Sequence, residues 1–227
     1  MVTRPSWRAL RELVLLSGRR LGGTGLGRLG RLGAVGLAAA CLSWIVALRV
    51  QGGASAPMLA VPVKAARAAL WIAALPVALG AAHQRGLSDR RDGFELSMLA
   101  RGFSSQDLRI ARLAAAFGRI LRAALLPVVV AALASIACSP SLASIGDRLL
   151  VLVVVVLQSL LVGLVLAPLA VGCDVLAPSR GRTLCIGVLA ASWALADVAS
   201  DAVLSVTGAL GVSLSALLSI VGLGRIG

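Results

Sequence analysis

Six apolar stretches, near residues 33–50, 58–82, 118–138, 149–172, 183–199 and 202–224, each approach the roughly 17–25 residues that a helix needs to cross a hydrocarbon core. No water reaches a backbone N–H or C=O at that depth, so such a segment must close its hydrogen bonds within itself. The fold expected is therefore all-α, a polytopic membrane bundle of six transmembrane helices. A hydrophobic share of 59% and a mean hydropathy of +0.98 lie far outside soluble proportions. Only Ser200 and Asp201 separate the last two stretches, which read as a tight hairpin of two spans or as one re-entrant unit.

A net charge of +13 would suggest nucleic acid in a soluble protein, but its distribution argues otherwise. Arg4, Arg8, Arg11, Arg19, Arg20, Arg28 and Arg31 precede the first apolar stretch, and eight more Arg lie between Arg85 and Arg122. The opposite side receives only Arg49, Lys64, Arg67 and Arg148. This alternation follows the positive-inside rule and predicts both termini in the cytoplasm with an even number of crossings. Arg outnumbers Lys 21 to 1, and Tyr and Asn are absent. That is the coding bias of a GC-rich genome, so the expected location is a bacterial inner membrane. The first apolar stretch begins some thirty residues in, without a convincing small-residue cleavage site, and is expected to stay.

Residues 1–32 read as a basic amphipathic helix followed by a Gly-rich hinge. Trp7, Leu10, Leu13, Val14 and Leu21 share one helical face, while Arg8, Arg11 and Arg19 occupy the remainder. Such a helix lies in the membrane interface, its Arg at anionic head groups, or binds a partner's surface. Gly25, Gly27 and Gly30 form a G-x-G-x-x-G, but no strand precedes it and no βαβ unit follows, so a dinucleotide site is excluded. A flexible hinge is expected there, with Gly33 and Gly36 allowing close helix packing.

The rest, 33–227, reads as the six-span domain, interrupted at 83–117 by a charged segment. Within it, Asp89 to Ala100 is amphipathic, with Leu96, Leu99, Phe103 and Phe94 as its apolar face and Arg90, Arg91, Asp92 and Glu95 as its charged face. Arg101-Gly102 marks a break, and Ser104-Ser105-Gln106-Asp107 supplies an N-cap and a first-turn carboxylate for the helix leading into the third span.

This loop resembles that of permeases of the type 2 ABC-exporter superfamily. The residues that carry the resemblance are Arg90-Arg91-Asp92-Gly93, Glu95, Leu96, Leu99, Gly102 and Arg112. Gly93 and Glu95 stand one residue closer than the family's Gly-x-x-Glu, and Arg101-Gly102 replaces a common Pro. The resemblance implies a coupling helix received by a cleft in a separate ABC ATPase subunit. It also implies an elbow helix over residues 3–21 that includes Trp7, Arg8, Arg11 and Arg19, and pairing with a second copy or a similar permease chain. Bare spans, chain length and the Trp71-Ile-Ala-Ala-Leu run are most similar to the haem-exporter-type permease CcmB of cytochrome c maturation.

Catalytic constellations are poorly represented. His83 is the sole histidine, no P-loop or HExxH occurs, and Cys41, Cys138, Cys173 and Cys185 show no CxxC spacing. The expectation is a transport subunit without a catalytic site, metal or cofactor, whose partners are an ATPase, another permease chain and membrane lipids, not nucleic acid. The alternatives are a membrane scaffold or assembly protein and a small secondary transporter. A proton-driven carboxylate relay is disfavoured, because Asp174, Asp197 and Asp201 sit near span boundaries.

Overall fold

A computed structural model describes residues 6–51, 55–83, 85–139, 142–198 and 205–220, and among them all regular structure is helical. The helices are α1 (Trp7–Gly22), α2 (Gly25–Val50), α3 (Ser55–Ala69), α4 (Leu75–Ala81), α5 (Arg85–Arg91), α6 (Phe94–Ala100), α7 (Ser105–Ala137), α8 (Leu142–Leu176), α9 (Gly181–Val198) and α10 (Val206–Ile220). A single π-helical turn, Leu70–Ala74, joins α3 to α4 into one rod. Among the described residues, five segments are long and apolar enough to cross a membrane: Gly25–Val50, Met58–Ala81, Ser105–Ala137, Ile145–Leu176 and Gly181–Val198. The chain is a polytopic all-α membrane bundle.

Helix α7 is the central post, in contact with α1, α2, α3, α4 and α8. Two apolar clusters fill the bundle. One joins Ala73, Ala74 and Val77 to Ile120, Leu166 and Ala170 in the half nearer the loop that carries α5 and α6. The other joins Cys41 and Ile45 to Val128, Val151, Val155 and Leu218 at the far end. Both rely on Ala and Val, whose small side chains let helix backbones approach without hydrophobic drive from water.

The sixth expected span takes a different form. Gln158 donates to the carbonyl of Leu210 and accepts from the Ser213 hydroxyl, while Leu214 and Leu218 pack with Val151, Val154 and Val155. Helix α10 is thus antiparallel to α8, as α9 is, so α9 and α10 run in the same direction. The Val206 N–H meets the Ser192 hydroxyl partway up α9. The second of the pair therefore starts at mid-depth and extends outward for about 22 Å at 1.5 Å per residue. Neither expected form appears: α9 is long enough to cross, and α10 runs beside it in the same direction, so the described pair is not a tight hairpin of two full spans and its described part does not return toward the charged end. Residues 199–204, which include the Ser200-Asp201 hinge, and 221–227 lie outside the description.

The Gly-rich hinge is also narrower than expected. Thr24 caps α2 by accepting from the Gly27 N–H, and Gly25 to Gly30 form its first turns, so only Gly23-Thr24 interrupts the path from α1. The expected boundary between residues 32 and 33 falls inside α2. These glycines serve packing. A methyl group at Gly30 would lie 2.6 Å from the Ala73 carbonyl oxygen, and one at Gly33 would lie 2.6 Å from that of Ile72. Pro76 has no N–H to offer the Ile72 carbonyl four residues earlier, and the helix widens to a π turn there. The glycine stripe of α2 seats itself against the exposed carbonyls of that turn. Gly30→Ala and Gly33→Ala are expected to lower thermal stability in detergent by about 1–3 kcal/mol each through overpacking. Gly36→Ala, whose added methyl meets nothing within 4 Å, should be neutral or stabilising.

Candidate functional site

At one end of the bundle, the loop between α4 and α7 folds into two short helices stapled to α1 and α7. Gly93 adopts φ 67°, a left-handed turn that an L side chain resists, and this reverses the chain between α5 and α6. Helix α6 ends in a Schellman motif: the Phe103 N–H reaches the Met98 carbonyl at 3.2 Å and the Gly102 N–H reaches that of Leu99 at 3.0 Å, with Gly102 at φ 87°. Helix α7 then opens with a capping box. The Ser104 N–H donates to Asp107 at 2.8 Å, and the Asp107 N–H donates back to the Ser104 hydroxyl at 3.1 Å.

An apolar knot holds this end together. Leu13 of α1, Met98 of α6, and Leu108 and Ala111 of α7 are buried against one another, flanked by Val14, Phe94 and Phe103. The α6 face turned inward is therefore Phe94–Met98. Leu96 is 69% exposed and Leu99 is also exposed, so of the expected apolar face only Phe94 and Phe103 pack against the knot. Trp7 is likewise exposed and does not join Leu13; α1 is a helix as expected, and it begins at Trp7 behind a Ser6 cap. Arg8, Arg11 and Arg19 point outward beside Leu15 and Leu16.

Around the knot runs an ionic clamp centred on Asp89, whose side chain is 7% exposed. Its carboxylate pairs with Arg20 of α1 at 3.1 Å and with Arg112 of α7 at 2.8 Å, and the Arg112 Nε–H donates to it at 3.1 Å. Arg20 also pairs with Asp92 and lies 4.6 Å from the centroid of the Phe94 ring. One carboxylate thus ties three helices. Ser17, Arg20, Asp89, Arg112 and the buried Asp174 border a water-sized cavity of about 20 Å³ beneath the clamp. Beside it, Arg90, Glu95, Arg109, Arg112, Val175 and Pro178 border an open groove of about 100 Å³.

Among the residues expected to meet a partner, Arg90 and Arg91 are exposed, Arg90 pairs with Glu95 at 3.2 Å, and Gly93 and Gly102 form the turns. Asp92 is partly engaged with Arg20, so its role is at least half internal. No local sequence pattern joins Asp89, Arg20, Met98 and Leu13 as a unit, and Arg112 stands out in the sequence only through the family resemblance. Their one sequence signal is the pair of carboxylates at 89 and 92, three residues apart and so on one face of a helix.

Two further side chains depart from an apolar bundle interior. Arg148, near the far end of α8, is fully buried and hydrogen-bonds to no described residue. Cys173 and Cys185 come within hydrogen-bonding reach of each other across α8 and α9. Among the described residues, no cluster of three His, Cys, Asp or Glu is placed to hold a metal.

Together the bundle and the stapled loop define an α-helical, multi-pass membrane protein with an ordered, charged platform at one end. Comparison with known proteins gives no matching family model, no matching curated protein and no matching solved structure. Met98→Ala is expected to cost 2–5 kcal/mol, as loss of a buried side chain does, and to speed hydrogen exchange across α6. Leu96→Ala should leave exchange there within experimental error.

Proposed function

We propose that this chain is the membrane-spanning permease subunit of an ABC transporter, an exporter powered by a separate ATPase chain that binds the α5–α6 platform. The observation that carries this reading is the construction of the platform. Two short helices are fixed to the bundle by a buried carboxylate and an apolar knot, yet they present Arg90, Arg91, Leu96 and Leu99 outward. A loop that needed only solubility has no use for exposed leucines on a rigid support. A groove edged by Arg90, Glu95 and Arg109 adds paired charges suited to a protein partner.

Force applied to the platform reaches the bundle through Asp89 to α7, the helix in contact with most of the others. A closing ATPase pair would thereby shift α7 and its neighbours between two packings. In this reading the platform end faces the bacterial cytoplasm, two permease chains assemble side by side, and the cargo is amphipathic. The narrower likeness to CcmB rests on the sequence resemblance alone.

Affinity purification of the tagged chain in mild detergent, with mass spectrometry and an ATPase assay, tests this. A P-loop ATPase should co-purify with the wild type, and Arg91→Glu combined with Leu96→Glu should reduce its recovery at least about tenfold, the loss of 1.4 kcal/mol or more, without altering thermal stability. Undiminished recovery in the variant contradicts the coupling role. Absence of any ATPase from the intact folded protein favours a scaffold or secondary transporter.

A further inference from the structure

Between α2 and α3, in the half of the bundle far from the platform, a lateral cleft of about 280 Å³ opens on the protein surface. Its walls are apolar, from Leu37, Cys41 and Trp44 on one side and Val61 and Ala68 on the other, with Lys64 as its one cation. Lys64 is the only lysine in the chain. Its ammonium stands 5.8 Å from the centroid of the Trp44 ring, and Arg67 lies one turn further along α3.

Depth gives this cleft an orientation. Lys64 lies about 25 Å from the Ala81 end of the rod at 1.5 Å per residue, near the far boundary of a hydrocarbon core about 30 Å thick. From the Trp44–Lys64 level the cleft descends past Cys41 to Leu37, about 10 Å toward the bilayer centre. It therefore has a cationic, aromatic mouth at head-group level and an apolar floor at acyl level. We infer that the α2–α3 cleft binds an acidic phospholipid, with its phosphate on the Lys64 ammonium and one acyl chain along Trp44, Cys41 and Leu37.

Simple snorkelling of Lys64 would explain the cation but not the cleft, and a zwitterionic lipid, whose phosphate could also reach Lys64, would bring its own cation close to the ammonium and so be held less well. The inference depends on the bundle standing in a bilayer and not on the proposed ATPase, so either can fail without the other.

Native mass spectrometry of the full chain in mild non-ionic detergent tests it, by titration with phosphatidylglycerol and with phosphatidylcholine of the same acyl chains. The first phosphatidylglycerol should bind about fivefold tighter than phosphatidylcholine, the weight of one basic residue at an anionic surface. Lys64→Glu should remove that preference and Lys64→Arg should keep it. Ala40→Trp, at an exposed position bordering the cleft, should weaken the first binding event of both lipids with Lys64 intact. Equal affinity for the two lipids, or a preference that survives Lys64→Glu, overturns the proposal. Unchanged binding in Ala40→Trp does so too, because the acyl chain would then lie elsewhere. Exclusion of both lipids by a wild-type dimer that Ala40→Trp dissociates would assign the cleft to a second copy and likewise overturn it.

Discussion

Asp89 is the joint on which the charged end of the protein depends. Its carboxylate is nearly buried and lies between two guanidiniums, one on α1 and one on α7. Removing one partner from such an arrangement leaves an uncompensated charge out of water and typically costs 3–5 kcal/mol, whereas an exposed surface pair contributes under about 1 kcal/mol. The consequence is mechanical as well as energetic. Helix α1, packed on α6 and α7 through Leu13, is also tied to α5 by the clamp and becomes part of the platform. The knot of Leu13, Met98 and Leu108 excludes water from the clamp's flank, which strengthens its charge interactions.

The half of the bundle next to the platform obeys a different constraint, close approach of backbones in lipid. Gly30 and Gly33 lie against the carbonyls of the π turn that precedes Pro76, so the helix irregularity and the glycine stripe answer each other. Helix α7 is the element shared by the ionic clamp and the membrane part, pairing with Asp89 below and packing with the α3 and α8 valines above. A protein built this way can pass a displacement at its charged end into the membrane part through one helix.

The membrane-spanning character was legible because helix length in lipid is dictated by bilayer thickness, and the α7 start was legible because its capping box is local chemistry. Direction was not, since an apolar stretch such as 206–220 reads alike going up or down; only the pairing of Gln158 with Leu210 and Ser213 decides it. The inward face of α6 was not legible for a related reason. In seven residues, Phe94, Leu96, Met98 and Leu99 surround two turns of helix, and periodicity does not say which of them meets α1. The Gly-rich stretch misled through propensity, because each glycine costs about 1 kcal/mol in a helix relative to Ala, a cost outweighed here by packing against α4 and the π turn. The Asp89 clamp joins residues 20, 89 and 112, and no local pattern links positions so far apart in sequence.

A double-mutant cycle tests most directly whether Asp89 unites α1, α5 and α7. Asp89→Asn, Arg112→Gln and the double variant would be compared by hydrogen exchange of the α1 and α5 amides in detergent or nanodiscs. The account predicts that each single change exposes both helices together and that the double change costs less than the sum, with a coupling energy of about 1–3 kcal/mol. Strictly additive effects, or loss of protection in α5 with α1 unchanged, would contradict it.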